Sequence, residues 1–110
     1  MKRGDVVTVA TAGDFGKPRP AVIVTQNALL EDGHQAVAVC QLTSTINELA
    51  DFRVTVDPTP ENGLRVRSDI MADKPATVVR HKIGAVIGCL SQQDILRLNV
   101  ALTYALGLQG

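Results

Sequence analysis

One arginine in this chain is held by its neighbours in a way that suits chemistry. In Lys17-Pro18-Arg19-Pro20-Ala21-Val22-Ile23-Val24-Thr25, two prolines bracket Arg19 and a β-branched run follows at once. Each proline fixes its own φ and drives the residue before it toward extended geometry. Arg19 therefore sits on stiffened backbone at the mouth of a strand, with Val22-Ile23-Val24 as a buried base. A guanidinium held this way offers five donors and a permanent charge, which fits a phosphate or carboxylate partner. The competing reading is an edge arginine with a solvated head, and the motif alone does not separate the two. No second constellation of this kind stands out. His34 and His81 lack ligand spacing, and Cys40 and Cys89 are isolated, with neither a CxxC pair nor a Cys/His cluster. Two buried free thiols are expected rather than a disulfide or a metal site.

The elements that must position Arg19 are short and numerous. Residues 4–11 read as a first strand, 12–16 as a glycine-containing loop, and 20–26 as a second strand. Asn27 to His34 contains Asp32-Gly33, a turn dipeptide of hairpin type, and Gln35 to Leu42 follows as a third strand antiparallel to the second. The polar cluster Thr43-Ser44-Thr45 ends that strand, with a helical turn over 46–50. Residues 52–56 are a fourth strand and 57–63 a loop with Asn62-Gly63 as its turn. Short strands over 64–66, 68–72, 76–80 and 83–90 come next. Ser91-Gln92-Gln93-Asp94 resembles a capping box. Ile95, Leu98, Leu102, Ala105 and Leu106 then recur near helical spacing, which predicts an amphipathic helix over 92–106 stopped by Gly107. Many short strands and one terminal helix predict a mainly β chain, a small bent antiparallel barrel with the helix packed on it.

Composition narrows the function classes. The 110 residues make one domain, 1–110, the expectation, with no repeat and no linker long enough to divide it. Aromatics are 3% of the chain, so the core must be aliphatic. Eleven basic residues balance eleven acidic ones, which argues against a non-specific, strongly basic nucleic-acid binder but leaves room for a local basic groove. No apolar run is long enough for a membrane span and no secretory pattern opens the chain, so a cytoplasmic protein is expected.

The motifs, taken in order, resemble those of the MazF/PemK/Kid toxin family. They are Met1-Lys2-Arg3-Gly4-Asp5-Val6-Val7, the block Gly16 to Val24, Leu42-Thr43-Ser44, Asn62-Gly63-Leu64 with the run Ser68 to Asp73, and Ile87-Gly88-Cys89-Leu90 before the helix. The resemblance covers essentially the whole chain. It implies an SH3-like barrel acting as a homodimer, the toxin half of a type II toxin–antitoxin pair. The implied activity is metal-independent cleavage of single-stranded mRNA, leaving a 2′,3′-cyclic phosphate and a 5′-hydroxyl, with a cognate antitoxin as inhibitor.

Carried over residue by residue, the resemblance makes Arg19 the stabiliser of the scissile phosphate, Thr43 a hydrogen-bonding partner with Ser44 beside it, and Asp73 the family acid. One branch of the family carries an arginine two positions before that acid, where this chain has Met71. The same branch carries a His in the first loop, where this chain has Gly13-Asp14-Phe15, so the mechanism rests on Arg19 and Thr43, or Asp14 substitutes in part. Phe15 is a candidate for base stacking, which is worth about 1–3 kcal/mol. Lys17, Arg65, Arg67, Arg80 and Lys82 are candidates to line an RNA groove. Each has a plainer alternative: Thr43 bonded to its own backbone, Asp73 as a turn acid, Phe15 as a barrel plug, the cations as solvated surface. Two other functions stay open at this point. One is a gyrase-poisoning toxin of the CcdB type on the same fold, and the other is a weak relative that mainly binds its antitoxin.

Overall fold

The computed structural model describes residues 1–10 and 17–108. Seven strands and two helices follow in the order β1 (Asp5–Ala10), β2 (Pro18–Ile23), α1 (Asn27–Glu31), β3 (Ala36–Thr43), β4 (Arg53–Val56), β5 (Ser68–Met71), β6 (Ala76–Val79), β7 (Ile83–Cys89) and α2 (Gln92–Ala105), with a 3-10 turn at Arg80–Lys82. All strand pairings are antiparallel, in the order β4-β5-β3-β2-β1-β7, with β6 also on β3.

β3 is the strand on which the sheet turns. Ala36–Val39 pairs with β6, whereas Leu42 and Thr43 pair with β5. Changing partner along one strand bends the sheet there. The two ends of the path then meet. The loop after β4 offers the Glu61 carbonyl to the Cys89 N–H of β7 at 2.9 Å, which closes the sheet into a small barrel. Gly63 and Gly88 make that closure possible. A Cβ on Gly63 would strike the Ile87 carbonyl, and one on Gly88 would strike the backbone of Glu61 and Asn62.

Alternating side chains serve two cores. Val6, Val22, Cys40, Leu42 and Ile70 face Leu98, Ala101 and Leu102 of α2. Val7, Val9, Ala21, Ile23, Val37 and Val39 face Leu30 of α1. Strands buried on both faces show little polar alternation, which explains the near-continuous Val and Ile runs. The expected terminal helix is present almost to the residue. Ser91 Oγ accepts the Asp94 N–H at 3.1 Å, and Gly107, at φ +66°, turns the chain out of α2.

Four expectations are corrected. The second strand runs Pro18–Ile23 instead of 20–26, so Arg19 lies within it. The expected hairpin turn over 27–34 is α1. Ala28-Leu29-Leu30-Glu31 are good helix formers, and Gly33 (φ +77°) closes the helix rather than a hairpin. His34 N–H reaches the Leu29 carbonyl and Gly33 N–H the Leu30 carbonyl, the paired bonds of a helix end. Residues 64–66 are loop, because the buried Asn62 side chain organises that stretch. It accepts from the Thr59 and Leu64 N–H groups and donates to the Asp57 carbonyl. Of the two thiols only Cys40 is buried, while Cys89 is partly exposed.

Burial pushes the Cys40 thiol up to about 11, against a small opposing effect of Arg3 and a small added push from Asp73. Below the ordinary thiol value of 9.0 both folded and unfolded chains keep the proton. Between 9.0 and about 11 the unfolded chain has released it and the folded one holds it, so stability falls as pH rises through that window. Thermal midpoints are expected to decline more steeply across this range in the wild type than in Cys40→Ala.

Candidate active site

The two prolines explain how Arg19 is presented. In β2 the Ile23 carbonyl accepts from Gly4 N–H on the β1 side, whereas Val24 N–H, one position on, reaches the Ala38 carbonyl of β3. By alternation Arg19 bonds toward β1, where it faces Val9, and positions 18 and 20 point toward β3. Proline has no N–H to give there, and the β2–β3 ladder ends at Ala21↔Gln41. The sheet therefore opens between β2 and β3 just where Arg19 and Thr43 stand, each two residues past that last pair. Since Ala21 and Gln41 are directly opposite and side chains alternate, Arg19 and Thr43 lie on the same face at the rim of the gap. Arg19 is exposed and Thr43 half-buried.

The row continues across the barrel. Thr43 faces Asp69 of β5, and Asp69 faces Thr55 of β4. Asp69 is fully buried. Its carboxylate accepts from Asn47 N–H at 2.7 Å, from the Thr55 hydroxyl at 2.5 Å and from Arg53 Nη1 at 3.3 Å. Arg53 Nη1 also approaches the Thr45 carbonyl at 3.4 Å, and Arg53 Nε is buried without a partner. Thr43 Oγ1 accepts the Thr45 N–H at 3.1 Å, the local bond expected of a strand-end threonine. That bond occupies a lone pair and leaves the hydroxyl proton to donate. Sequence reasoning passed over Asp69, Arg53 and Thr55. The available signal was Arg53 and Thr55 at alternate positions of one strand, which sets both on the face opposite Val54 and Val56.

The remaining candidates are dispersed. Asp73 is exposed in the turn after β5, four residues past the partner of Thr43, and no hydrogen bond or ion pair ties it to Thr43 or Arg53. Its charge is felt at Cys40 instead. Met71 faces Arg53 across the β4–β5 ladder, so a guanidinium from the neighbouring strand stands beside the position where the arginine is missing. Lys17 and Ser44 are exposed at the two lips of the gap. Arg65 is exposed and lines a cleft of about 420 Å³, with Pro18, Pro20, Thr8, Leu64 and Ile87. Arg67 is engaged by Glu48 and, at 3.2 Å, by Asp57, so two carboxylates already compete for its charge. Arg80 donates to the His34 carbonyl at 3.1 Å, far along the barrel, and Lys82 is exposed in the same turn. Asp14 and Phe15 lie outside the described residues.

Comparison with known proteins gives one consistent answer. Residues 2–106 match the family model of the PemK-like, MazF-like toxins of type II toxin–antitoxin systems. A probable endoribonuclease MazF of Mycolicibacterium smegmatis is 35% identical over 111 residues, covering all of both chains. Among solved structures, an endoribonuclease in complex with its cognate antitoxin from a mycobacterial species superposes with a TM-score of 0.84 at 25% identity, over 100% of this chain and 98% of that one. The Mycobacterium tuberculosis toxin MazF-mt6 shares the fold, with a TM-score of 0.81 at 24% identity over 96% of this chain and 99% of the other.

Proposed function

We propose, since this chain belongs to the PemK-like, MazF-like toxins of type II toxin–antitoxin systems, that it is an endoribonuclease that cuts single-stranded mRNA without a metal and is inhibited by a cognate antitoxin. The observation that carries the reading is the gap at the β2–β3 ladder, with Arg19 and Thr43 on its rim. The whole-chain relative named as a probable endoribonuclease supports the activity, and the similar structure solved with its antitoxin supports the partner.

In this reading the ribose 2′-oxygen attacks phosphorus as its proton leaves. A new P–O2′ bond forms as the 2′ proton passes to water, the P–O5′ bond breaks as the leaving 5′ oxygen takes a proton from water, and the products are a 2′,3′-cyclic phosphate and a 5′-hydroxyl. Arg19 stabilises the charge on the phosphorane. A guanidinium is a poor proton donor, so the role is electrostatic. Thr43 donates its hydroxyl proton to a phosphate oxygen or to the ribose and so positions the reacting atoms. Lys17, Ser44 and Arg65 hold the strand on either side, with Asp14 and Phe15 as further candidates from the sequence, Arg67 in competition with its two carboxylates, and Asp73 as an outer acid.

The working unit is a homodimer of the 1–110 domain in the cytoplasm. Leu96, Val100 and Tyr104, exposed at four-residue spacing along α2, form a surface that a second copy would cover. Among the described residues no helix is long and apolar enough to cross a membrane. The test is cleavage of a long single-stranded RNA in EDTA, wild type beside Thr43→Ala. Discrete cuts that survive EDTA and weaken by roughly 10²-fold in the variant are expected, the scale of losing one positioned donor. A wild type that makes no cuts but traps gyrase on DNA would replace this reading with the poison.

A further inference from the structure

We propose that Asp69 is a positioning residue for Thr43, acting through the turn at residues 45–47. The inference deepens the ribonuclease reading and rests on it for the role of Thr43.

A carboxylate with no exposed surface is an expensive way to fill a barrel. Aliphatic residues of similar volume stabilise such a site as well or better, and a buried pair gives little net stability. Of the buried polar residues described, Asp69 alone is fully sealed, at 0% exposure. Its contacts explain it. One oxygen takes the Thr55 hydroxyl and anchors the group to β4. The other takes Asn47 N–H and Arg53 Nη1, and the same Nη1 approaches the Thr45 carbonyl. Carboxylate and guanidinium together thus grip the chain at Thr45 and at Asn47, one through a carbonyl and the other through an N–H. Thr45 N–H in turn bonds Thr43 Oγ1. The linkage runs from Thr55 to Asp69, from Asp69 with Arg53 to the 45–47 turn, and from Thr45 to the Thr43 hydroxyl. With one lone pair held by Thr45, that hydroxyl oxygen is tied to the turn and keeps its proton to donate. A residue that merely stabilised the barrel would have no need to bond the turn.

The test is a double-mutant comparison by single-turnover RNA cleavage. Asp69→Asn keeps the shape but cannot serve all three donors. It is expected to lower kcat by roughly tenfold or more with KM little changed, because a misplaced group costs rate more than binding. In a Thr43→Ala background the same substitution is expected to change kcat by less than about twofold, since residues acting through one another are not additive. Equal losses in both backgrounds would overturn the proposal. Should Asp69→Asn fail to fold, judged by circular dichroism, Thr55→Val enters the same comparison and is read by the same two outcomes. A second readout does not depend on nuclease activity: amide hydrogen exchange at Thr45 and Asn47 should quicken in Thr55→Val while Val39 stays protected. Unchanged exchange at the turn overturns the positioning role even if the RNA is cut normally. A wild type that cuts no RNA overturns the ribonuclease reading while the exchange result still decides the link to the turn.

Discussion

Arg19→Ala is expected to slow RNA cleavage by roughly 10²–10³, the usual loss when one preorganised stabiliser of transition-state charge is removed. The fold should survive. Arg19 is exposed, and its place in β2 depends on backbone pairing with Val9 and on the flanking prolines, none of which needs the guanidinium. Circular dichroism should show the same β-rich fold in variant and wild type, so that a lost rate reports on the chemistry. Arg19→Lys keeps the charge but loses the planar fork, so only part of the rate should return. The measurement is the cleavage rate in EDTA at saturating RNA. An alanine variant as fast as the wild type would return Arg19 to the class of solvated edge arginines.

The largest effect on stability is expected from Gly63→Ala. Gly63 has φ +68°, a conformation that costs an L-residue about 1–2 kcal/mol. The new methyl would also run into the Ile87 carbonyl, which is backbone and cannot swing aside. Forced overpacking adds about 1–3 kcal/mol. Together these give a loss near 3 kcal/mol, a large share of the stability of a small domain. Gly33→Ala supplies the control. Gly33 has φ +77° but no atom within 4 Å of a built Cβ, so it carries the conformational cost alone, about 1 kcal/mol. Urea midpoints of the two variants separate strain from collision, and equal shifts would show that the barrel closure yields without cost.

The legible parts of the fold were those set by local chemistry. The cap at Ser91, the apolar spacing after it and the stop at Gly107 define α2 within a residue, because each acts inside one or two turns. The strands were legible as β-branched runs, and the toxin family followed from motifs in order along the chain. What stayed hidden depends on partners distant in sequence. The Asp32-Gly33 pair closes a helix because of what precedes it, and a dipeptide alone does not say which. Asp69 reads as a polar residue in a short segment until β4 and β3 are placed on either side of it. Arg67 looks like a groove cation until the fold brings up Glu48 and Asp57. Arg19 was legible because its setting is local, and the opening that exposes it follows from prolines adjacent to it in the chain.

The pairing of β1 with β7 joins Asp5 to Cys89, and the Leu90 N–H returns to the Gly4 carbonyl. Contacts between residues so far apart in sequence form late and slowly, after shorter loops have closed. During synthesis the hairpin of β1 and β2 emerges first and waits with one edge unfilled. The barrel cannot close until the stretch through Cys89 has been made. A chain that stops short of Cys89 would leave both β1 and the loop after β4 without their last partner.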